Sequence, residues 1–237
     1  MSNFDTFIFV PSYNVEKKLK GVLEKIPPSV RNRSKILVID DGSTDGTGDL
    51  DWPSLGAGVE YFRFEKNQGY GVVVKKGLKE GIASGARFVV CLHGDGQYPA
   101  DMLDQFLSHL ETNNLSILQG SRRLVPENCK AGHMPLHKRM GGTFLTFVEN
   151  IVFRQKLTDR HSGFILYRTD FLKTLKLDCL SRSFDIDLEI LSIADAKNFA
   201  IGELPIPTVY DDEKSNLNVV NYGLRVLRQV FCRMFAN

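Results

Sequence analysis

The sequence predicts an α/β protein with a mostly parallel central sheet and helices on both faces. Short apolar, β-branched runs recur along the first half of the chain, and helical patterns separate them. Polar, glycine-containing clusters follow the C-terminal ends of three of these runs, where open α/β sheets bind their ligands. Residues 7–10 (FIFV) read as a first strand, ended by Pro11, and 15–24 as a helix stopped by Pro27 and Pro28. A second strand spans 36–39 and a third 59–64; the turn 67–71 then opens a helix reaching about Ser84. Residues 88–92 form a fully apolar fourth strand, followed by a helix over 100–111 and a strand over 116–119. No internal repeat, low-complexity tract or linker is visible, and 237 residues suit one domain with a substantial core.

Bulk properties exclude several classes. Thirty Lys and Arg face 28 Asp and Glu, so no global charge argument favours nucleic acid. The cysteines at 91, 129, 179 and 232 have no CxxC spacing, which fits reduced, intracellular residues. No apolar run reaches the roughly 18 to 20 residues a membrane span needs, and no signal-peptide pattern opens the chain. The expectation is a cytoplasmic protein, or one bound to a membrane only at its surface.

The polar clusters carry the chemistry. They are Pro11, Ser12, Tyr13 and Asn14; Asp40, Asp41, Gly42 and Ser43; and His93, Gly94 and Asp95. Any one of them reads equally well as ordinary turn chemistry, but three converging on one sheet edge point to a crevice. From Asp41 the acidic loop mimics a calcium loop until its twelfth position, where Trp52 replaces the required Glu; a strand rather than a helix also precedes it. The turn 67–71 lacks the third glycine of a dinucleotide fingerprint, since Val74 stands there.

PSYN (11–14), VIDDGSTDGT (38–47), Asn67-x-Gly-x-Gly71, HGDGQYP (93–99), GSRR (120–123) and TDRHSGF (158–164) occur in that order. Together they resemble the family 2 glycosyltransferases of GT-A fold, in the branch of dolichyl- or polyprenyl-phosphate sugar synthases, over residue 7 to about 218. The resemblance implies a donor half (1–119) that binds a UDP- or GDP-sugar, an acceptor half (120–215) and a C-terminal amphipathic helix (216–237). Asp40 and Asp41 are then candidates for the base and ribose, because carboxylates accept hydrogen bonds from ring N–H groups and hydroxyls. Pro11, Ser12, Tyr13, Asn14 and Ser43 form the adjoining wall, while Asp45 is expected to cap the next turn. Gly71 brings backbone N–H groups towards phosphates. Lys75, one turn on, either adds charge there or is solvated beside Lys76 and Lys79.

In the family an Asp-x-Asp motif holds a divalent cation, Mg²⁺ or Mn²⁺; here His93 replaces the first acid. Asp95 and the Gln97 carbonyl supply oxygen ligands, and His93 either ligates or hydrogen-bonds a phosphate. The segment 122–139 is basic, and Arg122 and Arg139 best match the family's acceptor-phosphate arginines. A phosphate acceptor needs no general base, whereas a sugar hydroxyl does. Asp159, Asp185, Asp187 and Glu189 are the available acids; on a helix Asp185 and Glu189 share one face and Asp187 points elsewhere. Val209 stands where relatives often carry a basic residue, with Lys214 nearby. The stripe Val220, Leu224, Leu227, Phe231 and Met234 fits an interfacial membrane helix, a partner helix or one packed on its own domain. The alternatives are transfer to a glycan or lipid hydroxyl, or a catalytically weak nucleotide-sugar-binding protein.

Overall fold

The computed structural model describes residues 4–56, 58–125, 150 and 156–207. A seven-stranded sheet carries β1 (Thr6–Ser12), β2 (Ser34–Asp40), β3 (Val59–Arg63), β4 (Phe88–Cys91), β5 (Ile117–Ser121), β6 (Ile165–Arg168) and β7 (Ile201–Pro205). Their order is β3-β2-β1-β4-β6-β5-β7, with β6 antiparallel to both neighbours and every other pairing parallel. The helices are α1 (Leu19–Glu24), α2 (Pro28–Arg31), α3 (Tyr70–Ala83), α4 (Leu103–Thr112), α5 (Thr169–Leu172) and α6 (Ile186–Ala196).

Strand periodicity divides the core in two. Ile8, Val10, Val38 and Val90 meet α1 and α4 on one face, with Leu19, Leu23, Phe106 and Leu110. Phe7, Phe9, Ile39 and Val89 meet α3 and α6 on the other, with Val74, Leu78, Ile190 and Leu191. Both sheet faces are therefore buried, as near-continuous apolar strands require.

Several boundaries differ from the sequence reading. β1 runs through Pro11 to Ser12, because beyond Phe9 the β4 ladder has ended and a missing N–H is tolerated there. The helix expected from residue 15 begins at Leu19, since the N–H groups of Val15 and Glu16 donate instead to Thr47 Oγ1 and Asp45 Oδ2. Pro28, expected only as a stop, also opens α2 at its first position. β6 was not expected; it pairs Ile165 with both Cys91 and Gln119 and joins the two halves of the sheet.

Candidate active site

The C-terminal ends of β1, β2 and β4 bring the three polar clusters to one edge, stitched together by side chains. Ser43 Oγ accepts from the Asn14 N–H (2.9 Å), and Asn14 Oδ1 accepts from the Thr44 N–H (2.8 Å). Asn14 takes φ +56°, a left-handed conformation that asparagine tolerates. Ser12 is buried, whereas Tyr13 keeps 38% of its surface exposed.

The two acids of the β2 loop are internal braces. Asp40 is fully buried; Oδ1 accepts from the Ser43 N–H and hydroxyl (2.8 and 2.5 Å), and Oδ2 from the Tyr61 hydroxyl (2.7 Å). Asp41 accepts from the N–H groups of Gln68 (2.7 Å) and Gly69 (3.0 Å). Burial raises its carboxyl above the ordinary value, against the pull of those two N–H donors. Gly42, directly after Asp41, has φ +70°, and a Cβ there would lie 2.6 Å from the backbone carbon of Lys66. Only glycine lets the two loops close at this point. Asp45 caps the short helical turn Gly46–Asp49 through the Thr47 N–H, as the sequence indicated.

Gly71 and Lys75 serve the segment before α6. A Cβ on Gly71 would lie 2.5 Å from the carbonyl carbon of Arg182, and Lys75 Nζ donates to the Leu180 carbonyl (2.9 Å). Lys75 is thus neither solvated nor turned to a ligand. Asp185 and Glu189 do share a face: Ser181 donates its hydroxyl to Asp185 (2.7 Å) and its N–H to Glu189 (2.6 Å). Both acids fix the segment that leads to the exposed Phe184.

At the end of β4, Asp95 Oδ1 accepts from the Gln97 N–H (3.0 Å). No other hydrogen bond is made to Asp95 among the described residues, so Oδ2 is available to a ligand. His93 lies between Tyr70 and Tyr98, with ring centroids 5.4 and 5.0 Å away. Its Nε2 is 3.2 Å from the Tyr70 hydroxyl, which donates to Asp187 Oδ2 at 2.8 Å. Burial keeps the imidazole pKa below 6.5, against the pull of Asp95, so the ring is neutral at pH 7. Burial also pushes Asp187 up to about 7, opposed by the Tyr70 hydroxyl. Sequence reasoning named Asp187 but placed it away from Asp185 and Glu189. It did not single out Tyr70, whose mid-motif position between two glycines was the available signal.

Beyond β5 the chain is held by charge. Arg122 grips Asp159 with two N–H groups (2.7 and 3.1 Å), and Arg123 lies 3.9 Å from the same carboxylate. Burial acts to raise the Asp159 pKa, but these arginines hold it below the usual carboxylate range. A carboxylate so paired is a poor general base. Glu203 of β7 accepts from the N–H groups of Thr158 (2.7 Å) and Asp159 (3.0 Å). Arg139, the rest of the basic segment beyond residue 125, Val209, Lys214 and the C-terminal stripe lie outside the described residues.

Among the described residues, no helix is long and apolar enough to cross a membrane, and no three His, Cys, Asp or Glu side chains form a metal cluster. A single available carboxylate at a parallel sheet edge still suits a cation that arrives with a diphosphate, since Mg²⁺ is commonly held by one or two carboxylates plus substrate phosphates. His93 fits that set less well, because its Nε2 is committed to Tyr70.

A sheet of this order, with its ligand edge built from the loops after β1, β2 and β4, defines a GT-A nucleotide-sugar transferase fold. Solved structures share it: glucosyl-3-phosphoglycerate synthase of Mycobacterium tuberculosis, in complex with Mn²⁺ and UDP-glucose, superposes with a TM-score of 0.69 at 14% identity. That match covers 98% of this chain and 79% of the other. The model of glycosyl transferase family 2 matches residues 7–176, and the chain belongs to that family and is a glycosyltransferase. A UDP-N-acetylglucosamine–dolichyl-phosphate N-acetylglucosaminyltransferase of Methanococcus voltae is 28% identical, with 87% of this chain and 86% of the relative covered. An undecaprenyl-phosphate mannosyltransferase of Micrococcus luteus is 30% identical, with 84% and 82% covered.

Proposed function

We propose that this enzyme transfers a sugar from a nucleotide-sugar to a polyprenyl phosphate, with inversion at the anomeric carbon. The observation that carries this reading is the similarity, along more than four-fifths of both chains, to two relatives named for transfer to polyprenyl phosphates. The geometry supports it. Tyr13, exposed at the end of β1, offers a face to the base, and the loop held by Asp40, Asp41 and Asn14 shapes the pocket for it. Asp95, through Oδ2, would hold a divalent cation that arrives with the donor diphosphate, with the Gln97 carbonyl, phosphate oxygens and water as its other oxygen ligands. When bound, the cation offsets the charge that develops on the departing nucleotide.

The acceptor phosphate is already an anion and attacks the anomeric carbon without a general base. That agrees with a site whose candidate bases are otherwise engaged: Asp159 with Arg122, Asp185 and Glu189 with Ser181, and Asp187 with the Tyr70 hydroxyl. Arg122 and Arg123 give the end of β5 a positive character suited to that anion, and Arg139 is assigned to the same task from the motif. The enzyme works at the cytoplasmic face of a membrane, reaching its lipid through its own surface or a membrane partner.

The test is transfer of labelled sugar, with Mn²⁺, to a short-chain polyprenyl phosphate in detergent and to the matching prenol. Organic-phase product from the phosphate alone supports the reading. Equal transfer to the prenol or to a glycan hydroxyl, or hydrolysis alone, overturns it. Asp95→Asn should abolish turnover while leaving the thermal midpoint nearly unchanged, and retained activity would remove the cation assignment.

A further inference from the structure

We propose that Tyr70 and Asp187 are positioning residues for the transfer reaction, holding His93 and, through it, the turn that presents Asp95. The inference deepens the reading of Asp95 as the donor-facing carboxylate and rests on it. A hydrogen-bonded chain crosses three elements here: Asp187 on α6, Tyr70 at the start of α3, and His93 just past β4.

The direction of this chain follows from proton counting. A hydroxyl has one hydrogen, and Tyr70 gives it to Asp187 when that carboxylate is ionised. The Tyr70 oxygen is then left to accept from the His93 ring at Nε2, 3.2 Å away. The Gly163 backbone packs against the same edge of the ring and leaves no room there for a side chain: a Cβ on Gly163 would lie 2.7 Å from Nε2. Phe184 stacks on Tyr70 at 5.1 Å and 10°, covering the chain from solvent.

The neighbouring turn is equally fixed. The Gly94 N–H donates to the Pro11 carbonyl (3.0 Å), and a Cβ on Gly94 would lie 2.6 Å from Ser12 Oγ. With His93 and Gly94 held by these contacts and Asp95 Oδ1 bonded to the Gln97 N–H, the carboxylate is oriented before its ligand arrives, and a site organised in advance needs less ordering on binding. A purely structural chain would be a poor investment at this place. Asp187 is buried with no cation beside it among the described residues, and a well-packed apolar cluster would be at least as stable.

The experiment compares wild type with Tyr70→Phe, which keeps the stack on Phe184, and Asp187→Asn, which guards against a folding failure of the first. At a pH well above 7, where Asp187 is ionised, nitrogen-15 NMR of the histidine rings should show His93 as a single Nε2–H tautomer in wild type and as a tautomer mixture in Tyr70→Phe. Calorimetric affinity for Mn²⁺ with UDP or GDP should fall roughly 10- to 100-fold in both variants, the usual effect of losing a supporting partner of a metal site. An unchanged His93 tautomer in Tyr70→Phe, or Mn²⁺–nucleotide affinity within twofold of wild type, overturns the proposal. Neither readout uses the lipid acceptor, so failure of the polyprenyl-phosphate reading leaves this test intact. Wild type that binds neither nucleotide counts against the donor assignment of Asp95, and with it against this proposal.

Discussion

Replacing Asp187 with Asn should remove a pH dependence that the fold imposes on itself. Asp187 is buried, and its pKa stands near 7 instead of the ordinary 3.8, with burial as the main cause and the Tyr70 hydroxyl opposing it. A carboxyl raised in the folded state binds a proton there that the unfolded chain releases, so stability falls as pH rises from 3.8 to about 7. Over that whole window the loss amounts to about 4 kcal/mol, and from pH 5 upward to about 3 kcal/mol. For a chain of this size that corresponds to roughly 6–12 °C in thermal midpoint. Asn keeps the shape and does not titrate. The midpoint of wild type minus that of Asp187→Asn should therefore be more positive at pH 5 than at pH 8, by roughly that amount. His93 and His161 act with the opposite sign. Burial lowers both, His161 to about 4, so their contribution is lost as pH falls below 6.5; at pH 5 Asp187 is protonated and, like Asn, uncharged, so this contribution largely cancels between the two proteins. Thermal melts of both at pH 5 and pH 8 decide the matter. A midpoint gap that does not change with pH would refute the buried-acid account of Asp187.

Two further outcomes follow from the loops. Gly42→Ala places a Cβ against the Lys66 backbone at φ +70°, and urea titration should show a loss of roughly 2–4 kcal/mol. Arg122→Ala leaves Asp159 buried without its bidentate partner and should cost about 3 kcal/mol or more by the same measurement. A loss under about 1 kcal/mol would show that Arg123 carries the pairing alone.

The first half of the fold was legible because its strands are apolar on both faces and its turns are chemically marked. Residues 36–39 and 88–91 admit no other reading once a parallel sheet is assumed. β6 was harder, because residues 165–168 follow a motif whose polar residues drew attention away from a four-residue apolar run. The site was legible in its location and less so in its roles. Spacing correctly put Asp185 and Glu189 on one face, yet nothing in the spacing shows that Ser181 would occupy both. Asp40 and Asp41 are acidic loop residues in sequence; only packing reveals that the Tyr61 hydroxyl and the Gln68 and Gly69 N–H groups claim them. The partnership of Tyr70, His93 and Asp187 joins positions up to 117 residues apart and has no local signature.

The reversed strand has an architectural consequence. β5 ends at Ser121 and β6 starts at Ile165, and these neighbours run in opposite directions, so the chain leaves the sheet and returns to it at the same edge. The connection between them therefore has its two ends side by side on the scaffold, as the connection of a hairpin does. Lengthening such a loop costs little, since closure entropy grows only with the logarithm of its length. On the proposed reading, the connection assigned to the acceptor can change in length while the loops after β1, β2 and β4 stay anchored to the parallel strands. One scaffold of this design then serves different acceptors without rebuilding its parallel edge.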